Sequence, residues 1–232
     1  MTSPTPDPST GLMAFWSDIE PSYLPRYQQW HNCEHIPERV SIPGFHEGRR
    51  YRSLTNAPHF LMYYHTLSAA TLASDAYMAA LNAPTPWTRE ALAHFRSPVR
   101  GVYERIGGAG KLGLFAAPYV VSLRFDLPEG GEEGYAERWV GAACEAECVQ
   151  RVQFYRADSA VGNMATSERR IYGGGPGKQV YLLLIEQSKP PDRFGDAVGR
   201  GDAALGKDVV QRVNEEMGLY WLEIAYRAKE VA

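Results

Sequence analysis

The stretch Trp30-His31-Asn32-Cys33-Glu34-His35-Ile36-Pro37-Glu38-Arg39-Val40 gathers two imidazoles, two carboxylates, a thiol and a guanidinium at the end of a helical pattern. Residues four apart share a helix face, so His31 and His35 stack one above the other, with Glu34 within reach. An imidazole titrates near neutrality, which suits it to take and return protons, and a carboxylate beside it can set its tautomer. His31 and His35 are therefore expected as base and acid, with Glu34 as the orienting group. Arg50, on the basic stretch that follows, is expected to hold an enolate or carboxylate by charge-assisted hydrogen bonds. Tyr51, Tyr63, Tyr64 and Tyr103 are phenols on strand-like segments and could donate to a developing oxyanion. His65 alternates in phase with Tyr63, and with Trp16, Trp30 and Trp87 it completes an expected substrate site for a flat, apolar ligand. The plainer alternative is that His35 bonds a backbone carbonyl at the helix end and Glu34 pairs with Arg39 or Arg50. The motif then only fixes a turn.

Other chemistries are weaker on the same residues. His31-x-x-Glu34-His35 fits the signature of inverted zinc peptidases, in which two imidazoles one turn apart bind the metal. Pro37 follows too soon for that helix to continue, and no third ligand is evident, so no metal is expected. Cys33 has neighbours that could lower its pKa, yet no nucleophile triad is legible. Gly173-Gly174-Gly175-Pro176-Gly177 reads as a loop joining two strands, mobile at a pocket mouth, because a phosphate cradle needs a helix N-terminus after it.

The elements that must position these groups repeat. An apolar strand covers residues 11–17, a helix 22–40 that Pro37 should end or kink, and strands lie at 45–54 and 59–65. Alanine-rich helical segments at 69–82 and 88–95 lead to a strand at 99–106. Gly107-Gly108-Ala109-Gly110-Lys111 then reads as a flexible seam. Beyond it the order recurs: strand 119–125, helix 131–149, strand segments at 153–157 and 168–172, and strand 180–186. A long helical region at 192–217, with Val209, Val213 and Met217 in helical spacing, precedes a closing strand at 220–226. Each half is a βαββαβ, ferredoxin-like unit. Both helices of such a unit cover one sheet face, so the bare face must be buried, and a second copy buries it. The expected fold is α+β: two tandem ferredoxin-like halves, 11–107 and 113–229, forming an α/β barrel after a disordered leader at 1–10.

Composition limits the partners. The chain has 232 residues, 44% hydrophobic and 22% charged, with a net charge of −3. That balance favours neither nucleic acid nor an anionic membrane. No apolar run reaches the roughly 18 residues of a spanning helix. Three sparse cysteines, Cys33, Cys144 and Cys148, suit a reducing cytoplasm rather than a disulfide framework.

The segment Trp30-His31-x-x-Glu34-His35-Ile36-Pro37-Glu38-Arg39, followed by Pro43-Gly44-Phe45 and Arg49-Arg50-Tyr51, resembles the EthD-like proteins of the dimeric α/β-barrel superfamily. The resemblance covers residues 12–106; residues 113–228 match by element order. It implies the barrel fold, a pocket between sheet and helices, and compatibility with a homodimer. The superfamily spans cofactor-free monooxygenases, isomerases, cyclases and haem enzymes, so the reaction is not implied. The residues themselves favour a cytoplasmic, cofactor-independent lyase, isomerase or cyclase acting on a small apolar, aromatic or polyketide-like metabolite, and the resemblance, which extends to Leu81-Asn82-x-Pro84-Thr85-Pro86-Trp87, implies a catabolic pathway. The alternatives are an oxidoreductase on the same fold, with haem, a metal or no cofactor, and a non-catalytic metabolite-binding module.

Overall fold

Along β1 (Gly11–Ile19) nearly every residue is buried, on both faces of the strand. Leu12, Ala14 and Trp16 pack in one cluster while Met13 and Phe15 pack in another. A strand apolar on both sides lies between two layers. Here the layers are a barrel lumen and a coat of helices. The computed structural model describes residues 9–55, 58–111, 116–129, 131–191, 196–206 and 211–228.

The first half runs β1, a helix, β2 (Phe45–Ser53), β3 (Phe60–Thr66), helices Asp75–Asn82 and Pro86–Ala93, and β4 (Phe95–Gly110). The second half runs β5 (Tyr119–Asp126), a helix, β6 (Val149–Ala157), short helices Ser159–Gly162 and Ser167–Tyr172, β7 (Tyr181–Gln187), helix Asp196–Leu205 and β8 (Val213–Arg227). The eight strands close in the order β1-β3-β2-β8-β5-β7-β6-β4, with every neighbouring pair antiparallel. The long last strand of each half makes the closure. β4 pairs with β1 through Phe95–Glu104 and with β6 through Tyr103–Gly110. β8 pairs with β5 at its start and with β2 at its end. Two tandem ferredoxin-like halves therefore share one lumen, filled by Trp16, Tyr51, Leu61, Tyr63, Tyr103, Val120, Tyr155, Leu182 and Tyr220.

Several local expectations are corrected. Gly107–Gly110 is no seam: it is the end of β4, in register with Phe154 to Arg151. Residues 168–172 are helical rather than extended, capped at the start by Thr166 and at the end by Gly173 in the left-handed region (φ 74°). The glycine cluster after that helix is held in place. Gly175 bridges to Val99, and a Cβ on Gly174 would stand 2.6 Å from the Pro98 carbonyl oxygen. Val213 and Met217 lie on β8 instead of a helix, and Val209 falls outside the described residues. Of the leader, residues 1–8 fall outside as well, while Thr10 donates its backbone N–H to Leu67. Among the described residues no helix is long and apolar enough to cross a membrane.

Pro37 neither ends nor breaks its helix. Leu24–Trp30 is α-helical, His31–His35 forms a π turn, and Ile36–Val40 is α-helical again. The π turn inserts one residue, so Ile36 N–H reaches the His31 carbonyl. Pro37 then sits in the first turn of a new α segment, where its missing N–H costs little. The second half repeats this device: a π turn at Tyr135–Trp139, helix Val140–Cys144, then β6 from Val149. In that register His31 corresponds to Tyr135 and His35 to Trp139.

Candidate active site

Between the outer face of the first half-sheet and its helices lies a cavity with about 490 Å³ of atom-free space counted out to its mouth. Apolar side chains from both sheet and helices, among them Met13, Phe15, Met62 and Phe95, make most of its wall. Nine of its sixteen lining residues carry a polar group: His31, His35, Arg39, Tyr64, Tyr77, Arg100, Thr166, Glu168 and Tyr172.

The π turn places both imidazoles at this wall, their ring centroids 5.5 Å apart. His31 is fully buried, and its Nε2 meets the Tyr64 hydroxyl at 3.5 Å. His35 is 8% exposed and lies against Trp30, centroid to centroid 4.4 Å. Among the described residues neither Nδ1 has a hydrogen-bond partner. Burial drives both imidazoles well below their ordinary range, helped by Arg50, His35 and Arg39 at His31 and by Arg39 at His35. Both are neutral at pH 7, the form that accepts a proton. Burial pushes the Tyr64 phenol well above its usual range, which keeps it a donor.

Arg39, one turn beyond His35, donates Nη2 to Glu168 of the second half. Glu38 stands 3.5 Å from its Nη1. Burial opposes the Arg39 charge, but Glu168, Tyr77 and Glu38 outweigh it and keep the guanidinium protonated. Burial raises the Glu168 carboxyl, and Arg39 withdraws only part of that shift. The Ser167–Tyr172 helix thus reaches across from the second half and contributes Glu168 and Tyr172 to a cavity of the first. Arg100, on β4, is 9% exposed and donates Nη2 to the Tyr77 hydroxyl at 3.3 Å.

Of the residues expected from the sequence, the cavity brings together His31, His35 and Trp30, with Tyr64 beside them. Glu34 is not their orienter: its Oε1 accepts from the Thr85 hydroxyl at 2.6 Å and the Thr88 hydroxyl at 3.0 Å, tying the first helix to Pro86–Ala93. Nor does the plainer alternative describe it, since neither Arg39 nor Arg50 is its partner. Arg50 turns away from the cavity, giving Nε to Glu223 at 2.8 Å and Nη1 to Asn32 at 2.8 Å. Trp87 lies under the Arg26 guanidinium, 4.9 Å from its ring centroid.

Trp16, Tyr51, Tyr63, His65 and Tyr103 point into the lumen, because successive residues of a strand face opposite ways. There they join a buried polar network. Tyr51 and Tyr63 hydroxyls meet at 2.7 Å, Tyr63 donates to Glu186 at 2.6 Å, and Glu186 accepts from Arg151. His65 Nε2 lies 3.2 Å from Gln153 Oε1. Burial and Arg151 lower His65 to about 4; burial opposes ionisation of Glu186, but Arg151 and Arg49 hold it down at about 2. Trp16 Nε1 donates to Ser122 at the other end of the lumen.

The sequence reading missed Arg39, Tyr77, Arg100, Glu168 and Tyr172 as site residues. Arg39 carried a signal, falling one turn after His35. Glu168 and Tyr172 carried none once their segment was read as strand. Among the described residues no three His, Cys, Asp or Glu side chains converge as metal ligands.

No family model matches the sequence, and no curated protein matches it. Solved structures do resemble it. An anthrone oxidase-like protein aligns over 97% of this chain and 95% of its own, with TM-score 0.60 and 10% identity. A Lactobacillus acidophilus NCFM protein, provisionally named a monooxygenase, aligns over 94% of this chain and 97% of its own (TM-score 0.57, 6% identity). A chlorite dismutase of Candidatus Nitrospira defluvii aligns over 91% of each chain (TM-score 0.50, 12% identity). At these identities the likeness is one of fold: an α+β protein whose two ferredoxin-like halves close one barrel on a single chain.

Proposed function

We propose that this protein is a cofactor-independent oxidoreductase that removes a proton from a small, activated aromatic substrate and lets the resulting carbanion react with dioxygen. One observation carries the reading: two neutral imidazoles, buried at one cavity, whose Nδ1 atoms have no hydrogen-bond partner among the described residues. An unsatisfied buried polar atom costs about 1–3 kcal/mol. The fold does not require that cost, since the second half fills the corresponding positions with Tyr135 and Trp139. A bound substrate supplies the missing partner.

His35 or His31 accepts the proton from an acidic C–H, and the electron pair is left as an enolate. The Tyr64 phenol donates to the developing oxygen charge. The enolate passes an electron to dioxygen, the radical pair combines to a peroxide anion, and the imidazolium returns its proton to give the hydroperoxide. Loss of water leaves a ketone, so one methylene and one O₂ give one carbonyl and one H₂O. The apolar wall keeps bulk water from quenching the enolate. The likeness to an anthrone oxidase-like protein and to a provisionally named monooxygenase supports oxygen as the acceptor over elimination or isomerisation. The Glu34-His35-Ile36-Pro37 segment and the Pro43-Gly44 strand entry support an EthD-like relationship within the superfamily.

The test is oxygen uptake with anthrone and other activated-methylene aromatics. The expected result is one O₂ consumed per ketone formed, with turnover falling about 100-fold or more in His35→Ala or His31→Ala. Full turnover in both variants ends the acid–base assignment. Turnover that continues without oxygen replaces the oxidoreductase reading with the lyase or isomerase one.

A further inference from the structure

The lining of the cavity holds two guanidinium groups and one carboxylate, Glu168. Arg39 and Arg100 are both buried, and a guanidinium cannot shed its proton. Arg39 is answered by Glu168 and by the partly exposed Glu38. Among the described residues Arg100 has no carboxylate within ion-pair distance; its bond is to the neutral Tyr77 hydroxyl. Glu168 acts on Arg100 only through space and is itself bonded to Arg39. A buried cation without a directly bonded carboxylate is costly, and evolution of charge during a reaction does not relieve it, because Arg100 is charged before any reaction begins. What relieves it is an anion present in the ground state. We infer that Arg100, with Tyr77 and Tyr172 around it, is a carboxylate-binding subsite, and that the natural substrate is an aromatic acid.

The geometry suits that ligand. With Nη2 on Tyr77, the fork of the guanidinium keeps further donors for a bidentate carboxylate. Burial raises the Tyr172 phenol to about 12 even against Arg100, so it is a hydroxyl donor and not a competing anion. The backbone there is fixed, since Arg100 N–H donates to the Gly175 carbonyl at 3.0 Å and Gly174 abuts Pro98. The glycine-rich stretch thus has a role that a phosphate cradle does not describe: it lets the second half clamp β4 where Arg100 leaves it. The carboxylate at Arg100 orients the aromatic body among Phe15, Phe95 and Met62, in the cavity that the imidazoles also line.

The inference rests on the function proposed above, but its test needs no turnover. Benzoate and benzamide, of matched shape and different charge, are titrated into the full chain while the heat of binding is followed by calorimetry. Benzoate is expected to bind roughly tenfold or more tightly than benzamide. Arg100→Gln is expected to abolish that preference, and His35→Ala to keep it. Equal binding of the two probes by the unaltered protein, or no benzoate binding at millimolar concentration, overturns the inference. So does an unchanged preference in Arg100→Gln. If Arg100→Gln does not fold, Tyr77→Phe, which frees Arg100 from its one hydroxyl partner, must still change benzoate affinity and leave benzamide alone. A retained benzoate preference alongside failed oxygen uptake separates this subsite from the oxidoreductase reading.

Discussion

His35→Phe should make the protein more stable while removing its activity. The substitution deletes a buried, unpartnered Nδ1 and places an apolar ring of similar shape against Trp30, in the position that Trp139 occupies in the second half. Relieving the unsatisfied atom returns about 1–3 kcal/mol, and fitting the slightly larger ring takes back part of it. A net gain of about 1 kcal/mol raises Tm by roughly 2–4 °C for a chain of this size. The gain should grow with acid. The imidazole is depressed in the folded state, so the unfolded chain binds more protons below its ordinary pKa of 6.5. Its contribution is therefore complete above pH 6.5 and is lost as pH falls. Phenylalanine has no such dependence. The assay is urea unfolding of both proteins at pH 7.5 and pH 5, with oxygen uptake measured on the same samples. A loss of more than about 1 kcal/mol at pH 7.5 would show that His35 is a structural partner, and the claim that the fold can do without it would fall.

Three further outcomes follow from the same geometry. Glu34→Gln keeps an acceptor for Thr85 and Thr88, so turnover should stay within about twofold and stability within about 1 kcal/mol; a 100-fold loss would return Glu34 to the site. Arg39→Met leaves the Glu168 carboxylate buried and unpaired and should cost about 3–5 kcal/mol in chemical denaturation, most of it recovered in Arg39→Met/Glu168→Leu. His65 falls from 6.5 to about 4 on folding, so its contribution is whole above pH 6.5 and drops by about 2 kcal/mol between pH 7.5 and pH 5. The slope of stability against pH should flatten accordingly in His65→Gln, and an unchanged slope would mean that His65 is charged or solvated in the native lumen.

What the residues determined unaided was the periodic and the local. The double βαββαβ order, the need for one bare sheet face to meet another, and the placing of His31, His35 and Trp30 together on one helix all follow from spacing that propagates along a single element. Tertiary structure decided which face each strand presents. Tyr63 and Tyr64 are adjacent in the chain, yet one hydrogen-bonds in the lumen and the other stands by His31, because the strand period separates neighbours by a whole sheet. It also decided who partners whom at long range. Glu34 was drawn to two threonine hydroxyls on another helix rather than to its neighbouring imidazoles, and Arg39 found its carboxylate 129 residues away. A one-residue π insertion reconciled Pro37 with a continuing helix, and no propensity signals such an insertion. The cavity itself is a joint product of both halves, closed by a helix that local sequence reads as strand. Contacts of that kind are chosen by burial and charge pairing in three dimensions, which a linear pattern does not encode.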